Sequence, residues 1–264
     1  MDTKTAVITG ASSGIGLATA LKLISKGYLV YNLSRRDFIN EKIRHISCDV
    51  SLSESVNKAL RQVYDECGRI DVLITSAGIG VAGAVEFISL DDAKKQIDVN
   101  LFGTINTVKA VIPYMREKKA GNIICISSVA AAIPIPFQTY YSVSKAAINA
   151  FVSALSHEVR PFNISISSVM PGDIKTGFTA SRKTDLTGDD IYSGRIKKSI
   201  SIMENDEING MSADIAANFI AKLVDKKKLK PLYTVGMKYR LFVLLSKLLP
   251  QKAVSAIVSS LYAK

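Results

Sequence analysis

Near the start of the chain an apolar run, Thr5 to Thr9, leads straight into Gly10-Ala11-Ser12-Ser13-Gly14-Ile15-Gly16. After it, Leu17, Ala20, Leu21 and Ile24 mark one face of a helix that ends before Gly27. Glycines between a strand and a helix let the backbone turn tightly and come close to a diphosphate. The start of the helix adds free N–H groups and a partial positive charge. The next apolar run ends in Ser34-Arg35-Arg36. No carboxylate stands there to accept hydrogen bonds from a ribose 2′-hydroxyl. A serine hydroxyl and two guanidinium groups instead suit a 2′-phosphate, which predicts NADP(H) as the bound dinucleotide.

Tyr141 and Lys145 offer a second chemistry. They stand four apart on a stretch whose helical spacing runs through Ala146, Phe151 and Leu155, so their side chains share a face. An unperturbed phenol titrates at about 10, and a neighbouring ammonium favours the phenolate. Such a pair can exchange a proton with a substrate oxygen. Tyr140 has no such partner, because Ser144 lies four residues beyond it. Taken alone, the same spacing also fits a packed tyrosine beside a solvated lysine.

The elements that would position these groups follow from the apolar pattern. Runs of strand length occur at Thr5 to Thr9, Leu29 to Leu33, Ile43 to Cys48, Val72 to Ser76, Asn122 to Ser127, Ser165 to Val169 and Leu232 to Val235, with helical stretches between them. Continuous apolar strands alternating with helices predict an α/β fold: a single-domain, doubly wound parallel sheet of about seven strands, Rossmann-type, with helices on both faces. Ligands of such sheets bind at the carboxyl ends of the strands, where the winding reverses.

In 264 residues the hydrophobic fraction of 48% and charged fraction of 22% are globular, and no linker composition divides the chain. Three scattered cysteines, Cys48, Cys67 and Cys125, give no disulfide framework and are read as reduced thiols; with His45 and His157 far apart, no metal site is expected. There is no charged leader followed by an apolar stretch and cleavage site, so a cytoplasmic location is expected. The net charge of +11 is enriched in lysines after residue 220, with no interleaved aromatics, and reads as a solvated basic face rather than a nucleic-acid surface.

With these motifs in order, residues 4 to 176 resemble the short-chain dehydrogenase/reductase family, in its branch acting on hydroxysteroids and retinoids. Cys48-Asp49-Val50 looks like the family's adenine-contacting turn. Thr75-Ser76-Ala77-Gly78 keeps Ala-Gly of the usual N-N-A-G but replaces both asparagines, a departure that concerns the bracing of the central strand more than catalysis. Asn100 matches the helix asparagine, Ser128 lies thirteen positions before Tyr141, and Tyr141 with Lys145 supplies Y-x-x-x-K. Pro171-Gly172-Asp173-Ile174-Lys175-Thr176 resembles the loop that closes over the nicotinamide. The resemblance implies that Ser128 donates to the substrate oxygen, that Lys145 bonds the nicotinamide ribose, and that Asn100 holds water beside Lys145. It implies cofactor contacts from Ser76, Ala77, Gly78, Pro171, Gly172, Ile174 and Thr176, and a homodimer or homotetramer joined near Asn100 and Tyr141.

Residues 1–236 then form the dinucleotide-binding domain, with a substrate lid at about 177–210, and 237–264 form an amphipathic helical extension. The apolar stretch Ala130 to Phe137 predicts one wall of a site for a lipophilic ketone or alcohol, such as a steroid, retinoid or lipid. The alternatives are a 3-oxoacyl-carrier-protein reductase and a non-catalytic NADP(H) sensor. The extension is open to three uses: capping the site, joining subunits, or peripheral contact with an anionic membrane.

Overall fold

A computed structural model of the protein describes residues 3–263. Its centre is one parallel sheet of β1 (Thr5–Thr9), β2 (Leu29–Ser34), β3 (Ile43–Ser47), β4 (Val72–Thr75), β5 (Gly121–Ile126), β6 (Ile164–Pro171) and β7 (Leu232–Val235). The spatial order is β7-β6-β5-β4-β1-β2-β3. The chain winds outward to β3 and returns beside β1 as β4, so the direction of winding reverses between these two strands. That reversal opens the crevice where loops from both halves meet.

The continuous apolar strands are explained by the two cores they serve. In β1, Val7 points into a core with Val56 and Leu60 of α2 (Ser53–Cys67), Val108 and Val111 of α4 (Gly103–Lys118) and Ile148 of α5 (Thr139–Val159). Its neighbours Ala6 and Ile8 point the other way, toward Ala20 and Leu23 of α1 (Gly14–Ile24) and Ala216 and Ile220 of α8 (Ala213–Val224). Alternate side chains of a strand face opposite sides, so a sheet covered on both faces needs apolar residues at every position.

The short α3 (Leu90–Ile97) runs into α4 through one widened, π-helical turn, Asp98–Phe102, which carries Asn100. Segment 177–210 holds α6 (Phe178–Ser181) and α7 (Arg195–Ile208). It is tied to the body by Lys183 Nζ on Asp92 at 2.6 Å and by the Tyr192 hydroxyl donating to Glu86 at 2.7 Å. After β7, α9 (Met237–Leu248) packs against that strand's end and α10 (Gln251–Tyr262) folds back beside α7. The Tyr262 hydroxyl donates to Asp206 at 3.1 Å, and Arg195 Nε donates to the Ala263 carbonyl at 2.7 Å.

Candidate active site

At the carboxyl ends of β1, β4, β5 and β6 the loops enclose a cleft that continues under α9 and α10, with a volume of about 1000 Å³. All the cofactor and catalytic candidates named from the sequence line it except Gly16 and Asn100. Gly16 sits beneath the glycine turn, where a Cβ would lie 2.5 Å from the Gly10 carbonyl oxygen, so its role is to let α1 close against the turn. Gly10 itself has φ +70° and no room for a side chain, since a Cβ would stand 2.8 Å from Ala77 Cα.

Polar groups that the sequence reading passed over fix this turn. Asn32, fully buried in β2, accepts from Ala11 N at 2.9 Å and donates to Ser34 Oγ at 3.0 Å, joining the glycine turn to the Ser34-Arg35-Arg36 loop. An amide inside an otherwise apolar strand was the available signal. Thr9 Oγ1 accepts from Ser76 N at 3.1 Å and Ala77 N at 3.2 Å, bracing β4 where the family's asparagines are missing. Ser13 precedes α1 without capping it, and the first turn carries no acidic residue, so its N–H groups face the cleft uncompensated. A diphosphate fits that arrangement. At the rim Arg35 and Arg36 are exposed, and among the described residues neither has an ion-pair partner. Asp49 is oriented by Ser51, whose N and Oγ donate to its Oδ1 at 2.9 and 2.6 Å.

The catalytic candidates converge where β5 ends. Ser127 faces α5, its Oγ donating to the Lys145 carbonyl at 2.9 Å, while Ser128 turns into the cleft, accepts from Ala130 N at 3.1 Å and hydrogen-bonds the Tyr141 hydroxyl. Lys145 Nζ lies 5.6 Å from the centre of the Tyr141 ring and donates to the Ile126 carbonyl at 2.9 Å. The electrostatics differ from the sequence expectation. Burial pushes the Tyr141 phenol up to about 12, partly opposed by the Ser128 hydrogen bond. Burial also pulls Lys145 down to about 8. Loss of hydration outweighs the ammonium because Lys145 rests against the ring and the Ile126 carbonyl instead of the phenol oxygen.

Asn100 is fully buried. Its amide is engaged by the loop after β4, accepting from Ile79 N at 2.8 Å and donating to the Ile79 carbonyl at 3.0 Å and to Ser144 Oγ at 3.3 Å. It therefore holds the Gly78-Ile79 backbone in place. The widened turn that carries it is a local irregularity of the kind frequent at functional sites.

On the substrate side, Ile133 and Ile135 line the cleft, but Phe137 turns away with φ +59° into a core with Ile196, Ile200 and Met203. The opposite wall comes from segment 177–210 and the extension. Phe178, Ile202, Tyr239, Phe242, Leu245 and Leu249 extend the apolar lining, and Asp173, Asp206, Glu207 and Lys238 interrupt it. Tyr239 lies over the Pro171-Gly172 loop, its ring filling the space of a Gly172 Cβ and its hydroxyl donating to Asp173 at 2.6 Å. Burial raises Asp173 above the ordinary carboxylate range. Behind this wall Arg182 is buried against Glu207, which also accepts from Thr179 Oγ1 at 2.6 Å.

Comparison with known proteins places this geometry. A family model described as short chain dehydrogenase matches residues 4–187. A 3-ketodihydrosphingosine reductase of Bacteroides thetaiotaomicron is 42% identical over 224 residues, covering 84% of this chain and 83% of that protein. A probable short-chain type dehydrogenase/reductase of Helicobacter pylori is 35% identical over 254 residues, 93% of each chain. A short-chain dehydrogenase from Streptomyces avermitilis superposes with a TM-score of 0.83 at 25% identity, covering 98% of this chain and 96% of that one.

Proposed function

The chain belongs to the short-chain dehydrogenase family and is an oxidoreductase of that family; from that premise we propose that it is NADPH-dependent and reduces a long-chain, lipophilic ketone. The observation that carries this reading is the cleft of about 1000 Å³ that runs without a break from the glycine turn, past Tyr141, to apolar walls between α7, α9 and α10. A relative named for 3-ketodihydrosphingosine supports a ketone of that sphingoid type as the first substrate to try.

The residues divide the work as follows. The Gly10–Ile15 turn and the start of α1 would hold the diphosphate; Ser34, Arg35 and Arg36 the 2′-phosphate; Asp49 and Val50 would flank the adenine; Ser76, Ala77 and Gly78 would face the ribose. The Pro171–Thr176 loop would cover the nicotinamide, and Lys145 would hold its ribose. When bound, NADPH would supply the hydride for the carbonyl carbon. Ser128 donates a hydrogen bond to the carbonyl oxygen as it gains negative charge, and Tyr141 delivers the proton that makes it an alcohol. Segment 177–210 acts as the lid. Assembly through the helices beside the site would cover Phe102 and Val143, 49% and 51% exposed, in a homodimer or homotetramer.

The test follows NADPH absorbance with a sphingoid 3-ketone, a steroid, a retinoid, a small aldehyde and an acyl thioester. Turnover of the long-chain ketone with NADPH is expected; silence with every compound overturns the reading. The acyl thioester is included because the net charge of +11 suits an acidic carrier. Arg35→Ala and Arg36→Ala are each expected to weaken NADPH about tenfold, the lower end for hydrogen bonds to a charged group because both side chains are exposed, and to leave NADH unchanged. Equal loss with both cofactors removes the 2′-phosphate from the account.

A further inference from the structure

α9 is apolar on two faces. Tyr239, Phe242, Leu245 and Leu249 line the cleft. Met237, Leu241, Leu244 and Leu248 form a second stripe at i, i+4, i+7 and i+11 that is 52–87% exposed. A helix resting on its own protein buries one stripe and leaves the other polar; in α9 only Val243 is buried, and in α10 nothing is. The mouth of the cleft opens on the same surface, because Phe242, Leu245, Leu249, Ile257 and Leu261 both line it and are exposed. Within the extension charge is of one sign: residues 237–263 contain Lys238, Arg240, Lys247 and Lys252 and no Asp or Glu. Among the described residues no helix is long and apolar enough to cross a membrane.

We propose that this surface seats on an anionic lipid bilayer, with the outer stripe of α9 at the boundary of headgroups and acyl chains and the basic residues among the headgroups. The substrate then passes from the bilayer through the mouth of the cleft to Tyr141 without crossing water. An apolar stripe flanked by cations is the pattern of helices that lie in the interface plane. A second copy of the chain is the poorer occupant, since pairing the extension with itself sets cations against cations. Docking stands independently of the substrate; lateral entry rests on the lipophilic-ketone reading.

The experiment uses the full chain with NADPH and vesicles of phosphatidylcholine, with or without phosphatidylglycerol. The protein is expected to sediment with the anionic vesicles and to be released by salt. A Leu241→Gln/Leu244→Gln/Leu248→Gln variant is expected to lose about tenfold or more in partitioning, given the apolar area withdrawn, with its melting temperature and its turnover of a short, water-soluble ketone unchanged. A wild-type protein that stays in the supernatant with both vesicle types overturns docking. So does a variant that sediments like the wild type, or one whose only change is a smaller oligomer. A long-chain ketone supplied in anionic vesicles is expected to be reduced faster by the wild type than by the variant. Equal rates overturn lateral entry alone, and absence of turnover on every ketone overturns the substrate reading while vesicle binding still reports on docking.

Discussion

Tyr141→Phe is expected to lower kcat for ketone reduction by about 10²–10⁴, the range for a positioned general acid, and to leave NADPH binding within about twofold because the ring and its packing are kept. The hydroxyl lies beside Ser128 at the end of β5, on the cleft side where a substrate oxygen would sit. Its raised value, about 12 in the buried site, keeps that proton in place throughout the neutral range. Lys145, pulled down to about 8, is an ammonium below that pH and a neutral amine above it. Charge on Lys145 favours the phenolate left after transfer. Reduction is therefore expected to be level below pH 8 and to fall as pH rises through it. In Lys145→Met the break near pH 8 disappears. Stopped-flow and steady-state rates across pH 6–10 check both; a Tyr141→Phe enzyme with wild-type turnover removes Tyr141 from the chemistry.

What the sequence made legible was whatever lies close together along the chain. The seven strands were readable because a sheet covered on both faces demands unbroken apolar runs, so Val7 and Ile8 can serve opposite cores without interrupting the pattern. The glycine turn was contiguous, and Tyr141 and Lys145 were joined by a helical repeat. Groups brought together from distant positions were not readable. Asp173 meets Tyr239 across 66 residues, and which of the uses left open for the extension α9 serves at the cleft is visible only once that helix has folded back over the Gly172 loop. The widened turn at Asp98–Phe102 leaves no mark on a helical pattern of this length. The sign of the Tyr141 shift depended on which atom Lys145 touches and how much water is excluded. Neither is a property of spacing.

The buried pair Arg182–Glu207 makes the largest stability prediction. The Arg182 side chain is 1% exposed, and among the described residues its Nε and Nη1 find no hydrogen-bond partner, so Glu207 is what compensates its charge. Phe178 lies against the guanidinium at 5.7 Å and against the Tyr141 ring at 5.8 Å, which ties the pair to the catalytic wall. Glu207→Ala leaves an uncompensated buried cation and is expected to cost about 3–5 kcal/mol, a fall in melting temperature on the order of 10 °C for a chain of this size. Arg182→Leu with Glu207→Leu removes both charges and keeps apolar volume, so it is expected to recover most of that loss. Denaturant unfolding of the two variants decides the matter. If the single variant is as stable as the wild type, water reaches Arg182 and the wall is looser than its burial implies. If the double variant is no better than the single one, the loss belongs to the Thr179 hydrogen bond and the packing of α7, not to charge.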